Sequence, residues 1–146
     1  MKGDPVPDLH HVARLLRGTS VHEDGTVGGE AFRLRKRADD GWEGFLSVNW
    51  LEFLAPANRQ AQIQALRAVL AAKLALSASA RLAVLNVGEM RQYVREATSD
   101  RRDLQVLHEP EPGDSSHCGV YGLQPDQELI ADLIAEVVRE IHPARG

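Results

Sequence analysis

The chain has one cysteine, Cys118, among its 146 residues. A single thiol cannot close an intrachain disulfide, so no disulfide framework holds this fold, and a reducing compartment is expected. Aromatic residues make up only 5% of the chain, which leaves Leu, Val, Ile and Ala to build the core. No long apolar run is present. The longest, "AVLAAKLAL", is interrupted by Lys73 and falls well short of the roughly 20 residues of a membrane span. Positive charge is not in excess either. Seventeen Lys and Arg stand against 21 Asp and Glu, a formal net charge of −4, which argues against broad, non-specific binding of nucleic acid. The opening "MKGDPVPDLHH" carries charges and two prolines where a signal peptide has its apolar centre, so a cytoplasmic protein is expected.

What remains is an ordinary soluble composition, 43% hydrophobic and 26% charged, in a chain long enough to bury its own core. One domain over residues 1–146 is expected, with 1–7 as an irregular lead-in. Asp8 is placed to cap a short helix over "LHHVARLLR", in which Leu9, Val12, Leu15 and Leu16 share a face. The glycine-rich "TSVHEDGTVGGE" reads as a loop or irregular hairpin. "EAFRLRK" and "WEGFLSVNW" alternate, and with the turn "RADDG" between them they predict an antiparallel hairpin. In the second strand Trp42, Leu46, Val48 and Trp50 share one face, and Glu43, Phe45, Ser47 and Asn49 the other.

Asn58 caps a long helix with Ile63, Leu66, Val69, Leu70 and Leu74 inward and Lys73 in water. "RLAVLNVG" is apolar without alternation, as in a central strand covered on both faces. A helix over "EMRQYVREAT", a strand in "DLQVLHE", a loop at "PEPGDSS" and a strand in "HCGVYG" follow. "QPDQELIADLIAEVVREIH" predicts a C-terminal helix with Leu129 on its buried stripe. The fold class is α+β: a mixed or mostly antiparallel sheet of about five strands with about four helices.

The arginines of "HHVARLLR" and "RLRKR", five with one lysine, suit either a local anion-binding surface or a solvated face. Other candidate chemistry gathers in two places. His117 lies beside Cys118, but neighbours on a strand point to opposite faces, so the two cannot form a dyad, and Cys118 is expected to be packing. His117 shares its face with Gly119, which leaves a gap for a ligand or a backbone, and with Tyr121. The other place is the polar row of the hairpin, Arg33, Arg35, Glu43, Ser47 and Asn49. Arg35 suits a phosphate or carboxylate clamp, while Ser47 and Asn49 suit substrate positioning. If the row meets His117, the set makes a general acid/base with an anion clamp. The expected catalytic residues are thus His117, Asn49 and Ser47, and the expected ligand-binding residues Arg35, Glu43 and Tyr121. His108 and His117 fail the twin His-x-Ser/Thr pattern of phosphodiesterases, because Pro110 and Gly119 stand where hydroxyls are needed. No C-x-x-C or H-E-x-x-H spacing implies a metal, and no cofactor is expected.

The segments "AFRLRK", "LSVNWLEFL" and "HCGVYGL" together resemble those of a family of short bacterial proteins of unknown function, with F-x-L-R, L-S-V-N-W-L-E and H-x-G-x-Y-G segments. The likeness spans roughly residues 10–140. It implies no activity or substrate, but it marks Arg35, Ser47, Asn49, Trp50, Glu52 and His117. Since no catalytic or cofactor signature meets its own spacing rule, the expected function is a non-catalytic module that binds a partner protein or a small ligand, phosphate-bearing ligands among them. Trp42 and Trp50 would anchor such an interface. The rival is a small hydrolase or transferase acting on a phosphate-bearing nucleotide or nucleic acid, with His117 as acid/base. Nucleic acid and membrane are not expected partners of the leading module.

Overall fold

A computed structural model describes residues 2–36, 41–56 and 58–146. Six strands form one sheet in the spatial order β4-β5-β2-β1-β3-β6, and every neighbouring pair runs antiparallel. The strands are β1 (His11–Leu16), β2 (Leu46–Trp50), β3 (Arg81–Asn86), β4 (Gln105–His108), β5 (His117–Tyr121) and β6 (Glu140–Pro143). The helices are α1 (Leu51–Leu54), α2 (Arg59–Lys73), α3 (Val87–Ala97) and α4 (Gln127–Glu136). The class is α+β in a single domain. No helix among the described residues is long and apolar enough to cross a membrane.

The sheet separates two cores. On one face Val12, Val48, Leu85, Cys118 and Val120 pack beneath α3, α4 and a 3-10 turn at Gly29–Phe32. On the other, Ala13, Leu82 and Val84 pack beneath α1 and α2 through Leu51, Ile63, Leu66 and Leu70. The expected double burial of "RLAVLNVG" is met, since Leu82, Ala83, Val84 and Leu85 are all fully enclosed. Asn58 caps α2 as expected, its side chain accepting from the Ala61 N–H at 2.7 Å. The outer edge of β4 is covered by residues 3–6, which pair with it through Pro5 opposite Leu107. This removes a free edge.

Four local expectations are corrected. Residues 9–17 are not a helix. His11–Leu16 is a central strand flanked by β2 and β3, and Leu9 stands 86% exposed before it. Its apolar residues serve two cores, a need that outweighs helical periodicity. The expected two-stranded ladder of 30–36 with 42–50 does not form. Residues 29–32 make a 3-10 turn, Lys36 and Trp42 share one isolated bridge, and β2 pairs with β1 and β5 instead. The "RADDG" turn falls mostly on residues 37–40, outside the described residues. The C-terminal helix stops at Glu136. The chain then extends into β6, which pairs with the open side of β3, and Leu129 is 49% exposed. Helix α2 ends at Lys73, so Leu74 leaves the buried stripe, which at its other end includes the buried Gln62.

Candidate functional site

Alternation along β2 sends Ser47 and Asn49 to one face of the sheet, and the β2–β5 register sets Asn49 beside His117 and Ser47 beside Gly119. This is the face that carries α2. Phe45 and Tyr121, both half-buried, also lie on it, with ring centroids 5.3 Å apart.

Ser47 and His117 meet. His117 Nε2 lies 3.1 Å from Ser47 Oγ, and Nδ1 lies 2.8 Å from the Glu109 carbonyl oxygen. A carbonyl only accepts, so Nδ1 carries the proton in the neutral ring. Nε2 is then left as an acceptor for the Ser47 hydroxyl. The Glu111 carboxylate stands 3.5 Å from Nδ1. The edge of the Phe45 ring faces the imidazole, with centroids 5.9 Å apart. His117 itself is 4% exposed, whereas Ser47 is only half-buried.

Asn49 belongs to a second, fully enclosed set. Its amide donates to both carboxylate oxygens of Asp114, at 2.8 and 3.0 Å, and to Ser116 Oγ at 2.9 Å. Lys73, exposed as expected, closes the set with Nζ 2.6 Å from Asp114 Oδ2. Burial alone would raise the Asp114 carboxyl. Hydrogen bonds from Lys73, Asn49 and Ser116 outweigh it and hold the group below its ordinary value. With its N–H groups so engaged, Asn49 braces the loop before β5 rather than facing a substrate.

Tyr121 lies on the His117 face, but its hydroxyl donates to the Glu109 carboxylate. Burial, then that bond and charge, push it up to about 12. The gap expected at Gly119 is filled. A Cβ there would stand 2.8 Å from Phe45 Cδ2, so the glycine admits an aromatic ring and not a ligand. Cys118 points to the opposite core and is fully buried, and burial pushes its thiol up to about 12. His108, registered with Cys118, also takes that opposite face and packs on Trp50 and Phe53, so it does not meet His117. No cluster of three or more metal-ligating side chains occurs among the described residues.

The other two ligand-binding candidates lie elsewhere. Glu43 accepts from the Arg35 main-chain N–H at 2.7 Å, and no hydrogen bond or ion pair among the described residues joins Arg35 to His117. Arg35 and Arg33 instead line a groove of about 760 Å³ with Arg14 and Arg17. Strands β1 and β2 are in register only at Val12 with Trp50 and Ala13 with Asn49, and beyond these pairs they diverge. The guanidinium of Arg14 fills the gap. Its Nε donates to the Ala31 carbonyl and its Nη1 to the Ser47 carbonyl, each at 2.8 Å. Arg14 is 9% exposed, and burial, then the charge of Arg35, pull it down to about 10, with Glu43 opposing. The opposite wall is aliphatic, with Leu15, Leu74 and Leu76.

Sequence reasoning missed Lys73, Asp114 and Ser116 as partners of Asn49. It offered Arg14 as part of an arginine surface, but on a helix rather than on β1. The "DSSH" run, an acid and hydroxyls just before a strand histidine, was the available signal for Asp114 and Ser116. The expected tryptophan pair is not one surface. Trp42 is 46% exposed near Lys36, whereas Trp50 is half-buried and donates to His10 Nδ1 at 3.0 Å. Glu52, marked by the resemblance, accepts from both the main-chain N–H and the Nδ1 of His11, each at 2.7 Å. In comparisons with models of protein families, with curated proteins and with solved structures, the chain matches none.

Proposed function

We propose that this chain is a binding module for a small anionic ligand, seated in the groove where β1 and β2 part. One observation carries this reading. Four arginines line the groove, Arg14, Arg17, Arg33 and Arg35, and Glu30 is the one acid on its wall among the described residues. Clefts of similar size elsewhere mix the two signs. One has Asp132, Glu136 and Glu140 with Arg139, and another has Asp8, Glu89 and Glu96 with Arg91, Arg95 and Arg101. Like charges held together repel, and an anion between them relieves that repulsion. Guanidinium groups also recognise phosphate and carboxylate through paired N–H donors.

Arg14 supports the site from below, because its donors already hold two carbonyls, while the exposed Arg33 and Arg35 are free to close on a ligand. Among the described residues no hydrogen bond or ion pair joins Arg35 to His117, which weighs against the rival hydrolase reading with Arg35 as its clamp.

Isothermal titration with pyrophosphate tests the proposal. Saturable binding that weakens as salt rises, and that falls at least about tenfold in Arg33→Ala/Arg35→Ala with an unchanged melting temperature, is the expected result. Absence of binding, or equal binding by the double variant, overturns it.

A further inference from the structure

The Ser47–His117 pair takes no part in the groove, and we infer that it is a nucleophile and its general base, able to accept an acyl group from an activated carboxylic ester. The inference rests on three features of the geometry and is independent of the anion groove.

First, the polarity of the pair is set. The Glu109 carbonyl occupies Nδ1 at 2.8 Å and keeps the ring proton there, so the lone pair of Nε2 points at Ser47 Oγ, 3.1 Å away. A serine hydroxyl gains nucleophilicity when a base so oriented can take its proton and a third group holds that base. Second, the charge that proton transfer creates has a partner. The Glu111 carboxylate, 3.5 Å from Nδ1, faces the imidazolium from the loop, and among the described residues no cation is paired to His117. Third, access differs between the two. The base is enclosed beside Phe45, while the serine in front of it is only half-buried. Arg14 steadies the Ser47 main chain from the far side through its carbonyl.

In the step proposed, Ser47 Oγ bonds to the ester carbonyl carbon while its proton passes to His117 Nε2. The ester C–O bond then breaks, and the same proton leaves with the alcohol. Water, deprotonated by Nε2, later cleaves the acyl-serine and restores both residues. Asn49, which the sequence groups with this pair, has no role in the step, because its amide is committed to Asp114 and Ser116.

Fluorophosphonate labelling of the intact chain, read by peptide mass spectrometry, tests this. The reagent forms a Ser Oγ–P bond with loss of fluoride and a proton. Ser77 and Ser79 are internal controls: exposed serines bonded to each other at 3.2 Å with no histidine partner. The expected result is adduct on the Ser47 peptide at least about tenfold above that on the Ser77/Ser79 peptide, with loss of that preference in His117→Asn. Equal labelling of the two peptides in the unaltered chain overturns the inference whether or not the variant folds. So does retention of the preference in a folded His117→Asn.

Discussion

Lys73 and Asp114, 41 residues apart in the chain, meet with Nζ 2.6 Å from Oδ2. The Asp114 side chain is fully enclosed, while the lysine side chain is one-third exposed. This unequal burial determines what each truncation costs. Removing Asp114 leaves the buried amide of Asn49 and hydroxyl of Ser116 without their shared acceptor. Asp114→Ala is therefore expected to lose about 2–4 kcal/mol. Lys73→Met leaves an enclosed carboxylate with its neutral donors still in place, and about 1–2 kcal/mol is expected after allowing for hydration of the partly exposed lysine. Urea unfolding, read as a shift in midpoint at constant slope, checks both values, and equal costs for the two variants would contradict this account.

The same network predicts a dependence on pH. The folded Asp114 carboxyl titrates below its ordinary value of 3.8, so the unfolded chain binds its proton more readily. Its stabilisation is thus present above 3.8 and is lost as pH falls through the lower, folded value. The stability gap between the unaltered chain and Asp114→Asn should therefore shrink only below pH 3.8, as followed by unfolding midpoints across an acid series. A gap that is constant from neutral pH into strong acid would show that the charge of Asp114 contributes nothing.

Cys118 should be inert in the folded chain. Its sulfur is enclosed with the core of β2 and β4, and its thiol is pushed up to about 12, so at mildly alkaline pH almost none is thiolate. Ellman's reagent should release no colour over minutes from native protein and one equivalent after unfolding in guanidinium. Rapid native reaction would place the thiol at the surface.

Gly119 and Phe45 are coupled by space. A Cβ at position 119 would lie 2.8 Å from Phe45 Cδ2 and 2.9 Å from Cγ. Gly119→Ala is expected to cost about 1–3 kcal/mol, most of which should disappear in a Phe45→Ala background, where the ring is gone. A double-mutant cycle by thermal unfolding measures the coupling. Additive costs would mean that the glycine is required for another reason.

Individual elements differ in how far the sequence revealed them. "RLAVLNVG" declared itself as a doubly covered strand because apolar residues with no gaps suit few other environments. The Asn58 cap was equally legible, since the capping bond spans three residues and needs no partner from elsewhere. "HVARLL" was not. Its apolar positions satisfy a helical stripe and a two-faced strand alike, and the choice falls to neighbours found 36 to 75 residues away, in β2 and β3. The alternation in "LSVNW" placed Ser47 and Asn49 on one face correctly, but assigned them the wrong neighbouring strand.

Local chemistry alone determined the α+β class, the strand faces at β2 and β5, the separation of His117 from Cys118 and the cap of α2, because periodicity and capping act over a few residues. Which strands lie side by side, the divergence of β1 from β2 around Arg14, the pairing of Ser47 with His117 and the closure of Asp114 by Lys73 belong to the tertiary structure. Each of these brings together groups distant in sequence, and the energy that selects them comes from burying two cores on one sheet, a quantity no short window of residues contains.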